Sequence, residues 1–225
     1  MENKKSLSFL LIPLILMMVF ALSLSKCGGS SYETTDKKIL LSGDNPGLIF
    51  SELRLPHIEV DAYYNGEIKR IDLGKYRGRW LILFFYPSDF TFVCPTELAD
   101  LASYYDEFKK AGAEIMSVST DSAWVHRAWH KSNDSVGRVT FPMLSDRNGA
   151  LSRKLGVYNP AEGTSYRATF LFNPDGECVA LEIHNDAIGR NAGELLRKFD
   201  AASAVSTGGL CPGGWKPGEA LIEVK

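Results

Sequence analysis

A single cysteine, Cys94, stands in Y-P-S-D-F-T-F-V-C-P-T-E-L (residues 86–98), between a proline-led loop and the start of a helix-like pattern. At such a place a cysteine is either a small buried hydrophobe or a nucleophile, and position alone leaves both readings open. A thiol of ordinary pKa, about 8.5, is only about 3% thiolate at pH 7, whereas a pKa near 6 makes it about 90% thiolate, a gain of about thirtyfold. Helix N-termini and cationic neighbours lower a thiol pKa in this way. Nucleophilicity falls along with pKa. Most of the rate would therefore come from groups that orient a substrate and stabilise charge developing on its leaving atom.

The other chemically capable residues form no competing frame. Cys27, Cys94, Cys178 and Cys211 are scattered, without the C-x-x-C spacing of a zinc site or a dithiol redox motif. His126, His130 and His184 lie outside any H-E-x-x-H pattern, so no metal is expected, and a Cys–His hydrolase would lack a recognisable triad or oxyanion frame. A formal net charge of −2, a sequence pI near 6.1 and the lack of a Lys/Arg run argue against nucleic-acid binding. With 225 residues, 45% hydrophobic and 23% charged, the chain suits one globular domain with appendages.

Residues 1–27 read as an export signal, with Lys4 and Lys5 ahead of an apolar run from Phe9 to Leu22. A membrane-spanning helix needs about 20 apolar residues, and Pro13 interrupts this run, which favours a cleaved signal over a permanent anchor. L-S-K-C-G-G-S-S at 24–31 resembles a bacterial lipoprotein box with Cys27 as the lipidation candidate. Lys26 departs from the small residue expected before that cysteine, so ordinary cleavage after Ser25 competes. The expectation is an exported chain, extracytoplasmic or lipid-anchored at Cys27 and meeting the membrane only through its N-terminus. The alternative is a cytoplasmic chain, or one retained by an uncleaved N-terminal segment. A flexible linker is expected over 28–46, the folded domain over 47–205 and a C-terminal arm over 206–225.

Elements that would position Cys94 are legible around it. Trp80 to Phe85 is a continuous apolar run, which predicts a strand buried on both faces of a parallel sheet. Leu98, Leu101, Tyr105 and Phe108 recur at helical spacing, which predicts one amphipathic helix started near Pro95 and Glu97 and ended near Lys109, Lys110 and Gly112. A strand is predicted over Glu114 to Ser119, a helix over Ser122 to Lys131, and a short strand over Phe141 to Leu144. Ala168 to Phe172 and Cys178 to Ile183 flank the turn sequence N-P-D-G and predict a hairpin, and a last helix is predicted over Asn191 to Val205. The sum is an α/β domain. Sites in open α/β sheets gather beyond the carboxyl ends of strands, which is where Cys94 falls.

Pro87, Thr91 and Cys94 form P-x-x-x-T-x-x-C, continued by Pro95-Thr96-Glu97, and this resembles the active-site signature of peroxiredoxins, in particular the typical two-cysteine subgroup. The resemblance runs from about Pro56 to Gly218. It takes in V-D-A-Y-Y-N-G-E-I at 60–68, S-V-S-T-D-S at 117–122, H-R-A-W-H at 126–130, Y-R-A-T-F at 166–170, I-G-R at 188–190, and Cys211-Pro212 with W-K-P-G at 215–218. It implies a thioredoxin-like fold, a central sheet flanked by helices, and no cofactor. Cys94 would be the peroxidatic cysteine that attacks hydrogen peroxide or an alkyl hydroperoxide to give a sulfenic acid. Thr91 would hydrogen-bond the peroxide, Pro87 would shield the pocket, and Arg167 would stabilise the thiolate and the departing oxygen, with Glu97 and Arg190 supporting the cluster. Trp129 and His130 read as packing or interface residues, and Cys178, beside the hairpin turn, as inert.

Cys211 lies in S-T-G-G-L-C-P-G-G-W-K-P-G, where glycines and prolines oppose a regular element and suggest a flexible arm. The resemblance makes it the resolving cysteine, which condenses with the sulfenic acid of Cys94 on the other subunit of a homodimer; some family members form decamers. A thioredoxin-like or flavoprotein disulfide reductase would recycle the disulfide. The resemblance also implies that easily over-oxidised members carry a Gly-Gly-Leu-Gly insertion and a Tyr-Phe C-terminal helix, and neither occurs between Lys131 and Phe141 or after Cys211. Micromolar peroxide is therefore expected to yield disulfide and not sulfinate at Cys94, and peptide mass spectrometry showing prompt sulfinate would count against a robust enzyme.

Overall fold

The computed structural model describes residues 50–224. The expected export signal, Cys27 and the expected linker lie outside the described residues. The centre of the fold is the strand β3, Trp80–Phe85. Successive side chains of a strand point to opposite faces. Leu81, Leu83 and Phe85 accordingly enter one core, and Ile82 and Phe84 the other. Both faces are covered, so the run contains no polar position.

Among the described residues seven strands form the main sheet, in the order β2-β1-β5-β4-β3-β8-β9. They are β1 Glu59–Tyr64, β2 Glu67–Asp72, β3, β4 Ala113–Ser119, β5 Met143–Ser145, β8 Arg167–Phe172 and β9 Cys178–His184. The short strands β6 Tyr158–Asn159 and β7 Thr164–Ser165 pair with each other. The sheet is mixed and not the parallel one expected. β4 runs parallel to β3 and to β5, while β8 is antiparallel to β3 and to β9, and β1 is antiparallel to β2 and β5. An unbroken apolar run reports burial on both faces, and it carries no information about strand direction.

The crossover from β3 to β4 contains two helices, α1 Cys94–Ser103 and α2 Tyr105–Lys110, where the sequence pattern predicts one. The Ser103 hydroxyl donates to the Asp100 carbonyl at 2.6 Å, and the Tyr104 N–H turns to the Leu101 carbonyl at 3.2 Å, which tightens the turn and ends α1. The apolar face survives the break, because Leu98, Leu101, Tyr105 and Phe108 all enter the same core. After β4 come α3, Ala123–Ser132, capped by Ser122 accepting from the Val125 N–H, and the short α4, Ala150–Lys154. The last helix, α5, Ala192–Val205, is capped by Asn191 accepting from the Glu194 N–H. Helices α1, α2, α3 and α5 supply one core, and Leu53, Leu55, Leu73, Leu151 and Leu155 contribute to the other. A central sheet with helices against its faces is the thioredoxin-like α/β arrangement.

Phe199 on α5 is fully buried, edge-on to Trp80 at 5.6 Å between ring centroids and 5.9 Å from Phe108. It ties α5 to β3 and α2 at once. Phe199→Ala is expected to cost about 3–5 kcal/mol, read as a lower urea midpoint; an unchanged midpoint would show that α5 does not brace this core.

Candidate active site

Cys94 is the first residue of α1 and is only 1% exposed. Pro95 follows in the first turn, where its missing N–H interrupts no helical bond. The Val93 carbonyl accepts from the N–H groups of Thr96 and Glu97, at 3.1 and 3.2 Å, and closes that turn. The sulfur therefore sits at the positive end of the helix, inside the core.

Glu97 extends from the same turn into a buried cluster. Its carboxylate accepts from the Arg167 Nη1 and, at 2.8, 2.9 and 3.2 Å, from the Arg190 backbone N–H, Nε and Nη2. Arg167 opens β8 and is 2% exposed, not the solvated strand-edge charge its position in isolation would suggest. Its Nη1 lies 3.7 Å from the Cys94 sulfur, and its Nη2 donates to the Asp186 carbonyl at 2.8 Å. The Arg167 Nε is buried with no hydrogen-bond partner among the described residues. Arg190 also donates through Nη1 to the Ala168 carbonyl and the Thr169 hydroxyl, at 2.7 and 2.9 Å, and lies over the Phe84 ring at 3.3 Å. Burial pulls the Arg190 guanidinium below its ordinary pKa, and the bonds to Glu97 oppose that pull.

The loop between β3 and α1 is held from beneath. Tyr86 donates to Asp89 Oδ1 at 2.7 Å, and His126 of α3 meets Asp89 Oδ2 through Nδ1 at 2.8 Å. The other ring nitrogen, Nε2, bonds the Leu144 carbonyl at 3.1 Å and must donate there. A proton consequently lies between Nδ1 and Oδ2. The Tyr86 phenol is pushed well above its ordinary pKa by burial and by Asp89, so it stays a donor. Asp121 adds a second anchor, accepting from the Asp89 N–H at 2.8 Å. Phe90 turns the chain with φ of 55°, a strained value for a bulky side chain. Above these anchors Pro87 is half-buried and Thr91 exposed, the Thr91 hydroxyl donating to the Ser88 carbonyl at 2.9 Å.

The structure thus brings Cys94, Glu97, Arg167 and Arg190 into one buried cluster, with Pro87 and Thr91 on the loop leading into it. Residues 52–180 match the AhpC/TSA family. The chain belongs to that family. It is 44% identical over 163 residues to alkyl hydroperoxide reductase C of Salmonella typhimurium, a match covering 72% of this chain and 87% of the relative. The crystal structure of Enterococcus faecalis AhpC is similar with a TM-score of 0.71 at 42% identity, covering 73% of this chain and all of that one. A reduced 2-Cys peroxiredoxin of Plasmodium vivax gives a TM-score of 0.73 at 30% identity, over 77% of this chain and 93% of its own.

In this peroxiredoxin three cysteines are described, all free. Cys211 is partly exposed in the C-terminal arm. The arm forms no helix or named strand, but it is pinned: Leu210 and Ile222 exchange backbone bonds at 2.9 and 2.8 Å, and Trp215 is buried. The Trp215 carbonyl accepts from Arg197 Nη1 at 3.1 Å and its indole N–H donates to the Glu219 carbonyl at 2.9 Å. Cys178 is buried at the start of β9, its thiol pushed up to about 12 by desolvation. Trp129 is buried in the core. The Tyr86–Asp89–His126 anchor went unassigned in the sequence, where His126 carries no sign of its partner 37 residues away. His126→Ala leaves a buried carboxylate short of its partner. It is expected to cost about 3–5 kcal/mol by guanidinium unfolding, and a loss below about 1 kcal/mol would mean the loop is held chiefly by Asp121.

Proposed function

We propose that this chain is a thiol-dependent peroxidase in which Cys94 is the peroxidatic cysteine, acting on hydrogen peroxide and alkyl hydroperoxides. The observation that carries the reading is the Arg167 guanidinium at 3.7 Å from a buried sulfur at a helix start, fixed by a carboxylate it shares with Arg190. The likeness to alkyl hydroperoxide reductase C supports the substrate class.

The thiolate pair attacks the terminal peroxide oxygen. An S–O bond forms as the O–O bond breaks, the leaving oxygen keeps the bonding pair and takes a proton, and the products are a sulfenic acid and water or an alcohol. Arg167 compensates the charge as it moves from sulfur to the leaving oxygen, using a permanent charge in a fixed fork. Its Nε–H is a donor that no described residue takes up. Thr91 spends its own proton on Ser88, so its oxygen is available to accept from a peroxide O–H. Pro87 limits water, and Glu97 with Arg190 holds Arg167 in place.

Cys211 acts as the resolving cysteine. Its thiolate attacks the sulfenic sulfur of the other subunit, hydroxide leaves and takes up a proton, and a disulfide forms. Cys94 is buried, so its turn of α1 has to open first. A homodimer is supported by β9, which ends the described sheet; beyond Cys178, which bonds Leu53, its outer edge has no strand partner among the described residues, and it carries exposed Val179 and Ile183. Exposed Phe90, Phe92 and Trp124 favour a larger assembly such as a decamer. A thioredoxin-like or flavoprotein dithiol donor returns the disulfide to two thiols.

Residues 1–27 retain the reading of an export signal, with lipidation at Cys27, plain cleavage and a cytoplasmic uncleaved chain separated by the intact mass of the native protein. The chemistry itself uses residues from Pro87 onward. Peroxide consumption with a dithiol donor is expected to fall by more than a thousandfold in Cys94→Ser. In Cys211→Ser the sulfenic acid is expected to accumulate and the non-reducing dimer band to vanish. Turnover surviving Cys94→Ser would overturn the assignment.

A further inference from the structure

The buried cluster around Cys94 does not end at Arg190. The Thr169 hydroxyl accepts from Arg190 Nη1 at 2.9 Å, so its own proton is free for another acceptor, and it donates to Glu182 Oε1 at 3.1 Å. The other Glu182 oxygen takes Lys198 Nζ of α5 at 2.6 Å, and His184 Nε2 lies 3.8 Å from that same oxygen. A continuous line of charged and polar groups therefore runs from the sulfur through Arg167, Glu97, Arg190, Thr169 and Glu182 to Lys198. Its outer end, Thr169, Glu182 and Lys198, lines a cavity of about 360 Å³ with apolar neighbours from β8, β9 and α5.

Counting charge along the line gives it a function. Two guanidinium groups share the single Glu97 carboxylate, which leaves one positive charge that a Cys94 thiolate neutralises and a thiol does not. Glu182 is the next anion, and it competes with the thiolate for that positive charge. Lys198 cancels part of Glu182 and so limits the competition. Other titratable groups on the surrounding elements are Tyr86, Asp89 and His126, bonded to one another beneath the loop with Asp121 accepting from the Asp89 N–H; Asp100 of α1, which accepts from the Ala192 N–H; Asp186, whose carbonyl takes Arg167 Nη2; and His184 on β9, whose Nδ1 is buried without a partner among the described residues.

We propose that Glu182 and Lys198 are positioning residues that set how much of Cys94 is thiolate, acting through Thr169, Arg190 and Glu97 with no contact to the peroxide. The inference rests on Cys94 being the reactive thiol. It assigns opposite signs to two residues that form one ion pair. Removing the Glu182 charge favours the thiolate, and removing Lys198 exposes the full Glu182 charge and disfavours it. A purely structural pair would have no such sign difference.

The test is the pH profile of iodoacetamide alkylation at Cys94, read by mass spectrometry of the Cys94 peptide in the full chain. Glu182→Gln, which keeps an acceptor for Thr169, is expected to move the alkylation midpoint down by roughly 0.3–1 pH unit, and Lys198→Met to move it up by a similar amount. The double variant is expected to lie closer to wild type than either single change. Midpoints that stay within about 0.1 pH unit of wild type, or that move in the same direction in both variants, would overturn the inference. Should Glu182→Gln fail to fold, the partly exposed Lys198 decides alone: a rise supports the inference, and a fall or no change overturns it. Alkylation needs no turnover. Peroxidase activity surviving in Cys94→Ser would therefore sink the proposed function while leaving this measurement decisive on its own.

Discussion

Everything in the cluster around Cys94 depends on one carboxylate shared by two buried guanidinium groups. Glu97 comes from the first turn of α1, Arg167 from the start of β8, and Arg190 from the segment before α5. Taking these charges out of water costs several kcal/mol per ion, and Coulomb attraction offsets this only where hydrogen bonds satisfy the remaining donors and lone pairs. Arg190 meets that condition through Ala168, Thr169 and the Phe84 ring face. Arg167 meets it incompletely, with Nε left without a partner among the described residues. Among the described residues the Arg167 Nε is thus the one guanidinium nitrogen of the cluster left without a hydrogen-bond partner.

That arrangement also constrains the fold. The three charged residues lie 70 and 93 positions apart in pairs, so they meet only if the sheet, the crossover helices and the β9–α5 connection are assembled. The order β4-β3-β8 brings the end of β3 and the start of β8 side by side, with Phe85 opposite Ala168. The cysteine loop and Arg167 consequently emerge at the same end of the sheet.

Much of this was readable because the signals are local. The β3 run, the N-P-D-G hairpin and the helices beginning near Ser122 and Asn191 each follow from a few adjacent residues. The β1–β2 hairpin is equally local: Asn65 and Gly66 take φ values of 52° and 82°, the Asn-Gly turn geometry. Other features were hidden because a partner across the fold decides them. Strand direction in the sheet, the break at Tyr104 and the Asp89–His126 bond depend on contacts that hydrophobic periodicity does not encode. Arg167 illustrates the limit: alone it reads as a surface charge, and only Glu97 and Arg190 explain its burial.

Cys178 gives the architecture a further meaning. A chain that handles oxidants carries a third thiol in its described fold, and burial lifting that thiol to about 12 leaves only about one part in 100,000 as thiolate at neutral pH. Its sulfur donates instead to the Ala180 carbonyl at 3.3 Å. The fold therefore withholds one cysteine from the chemistry proposed for the other two, and selectivity among identical side chains comes from where each is kept.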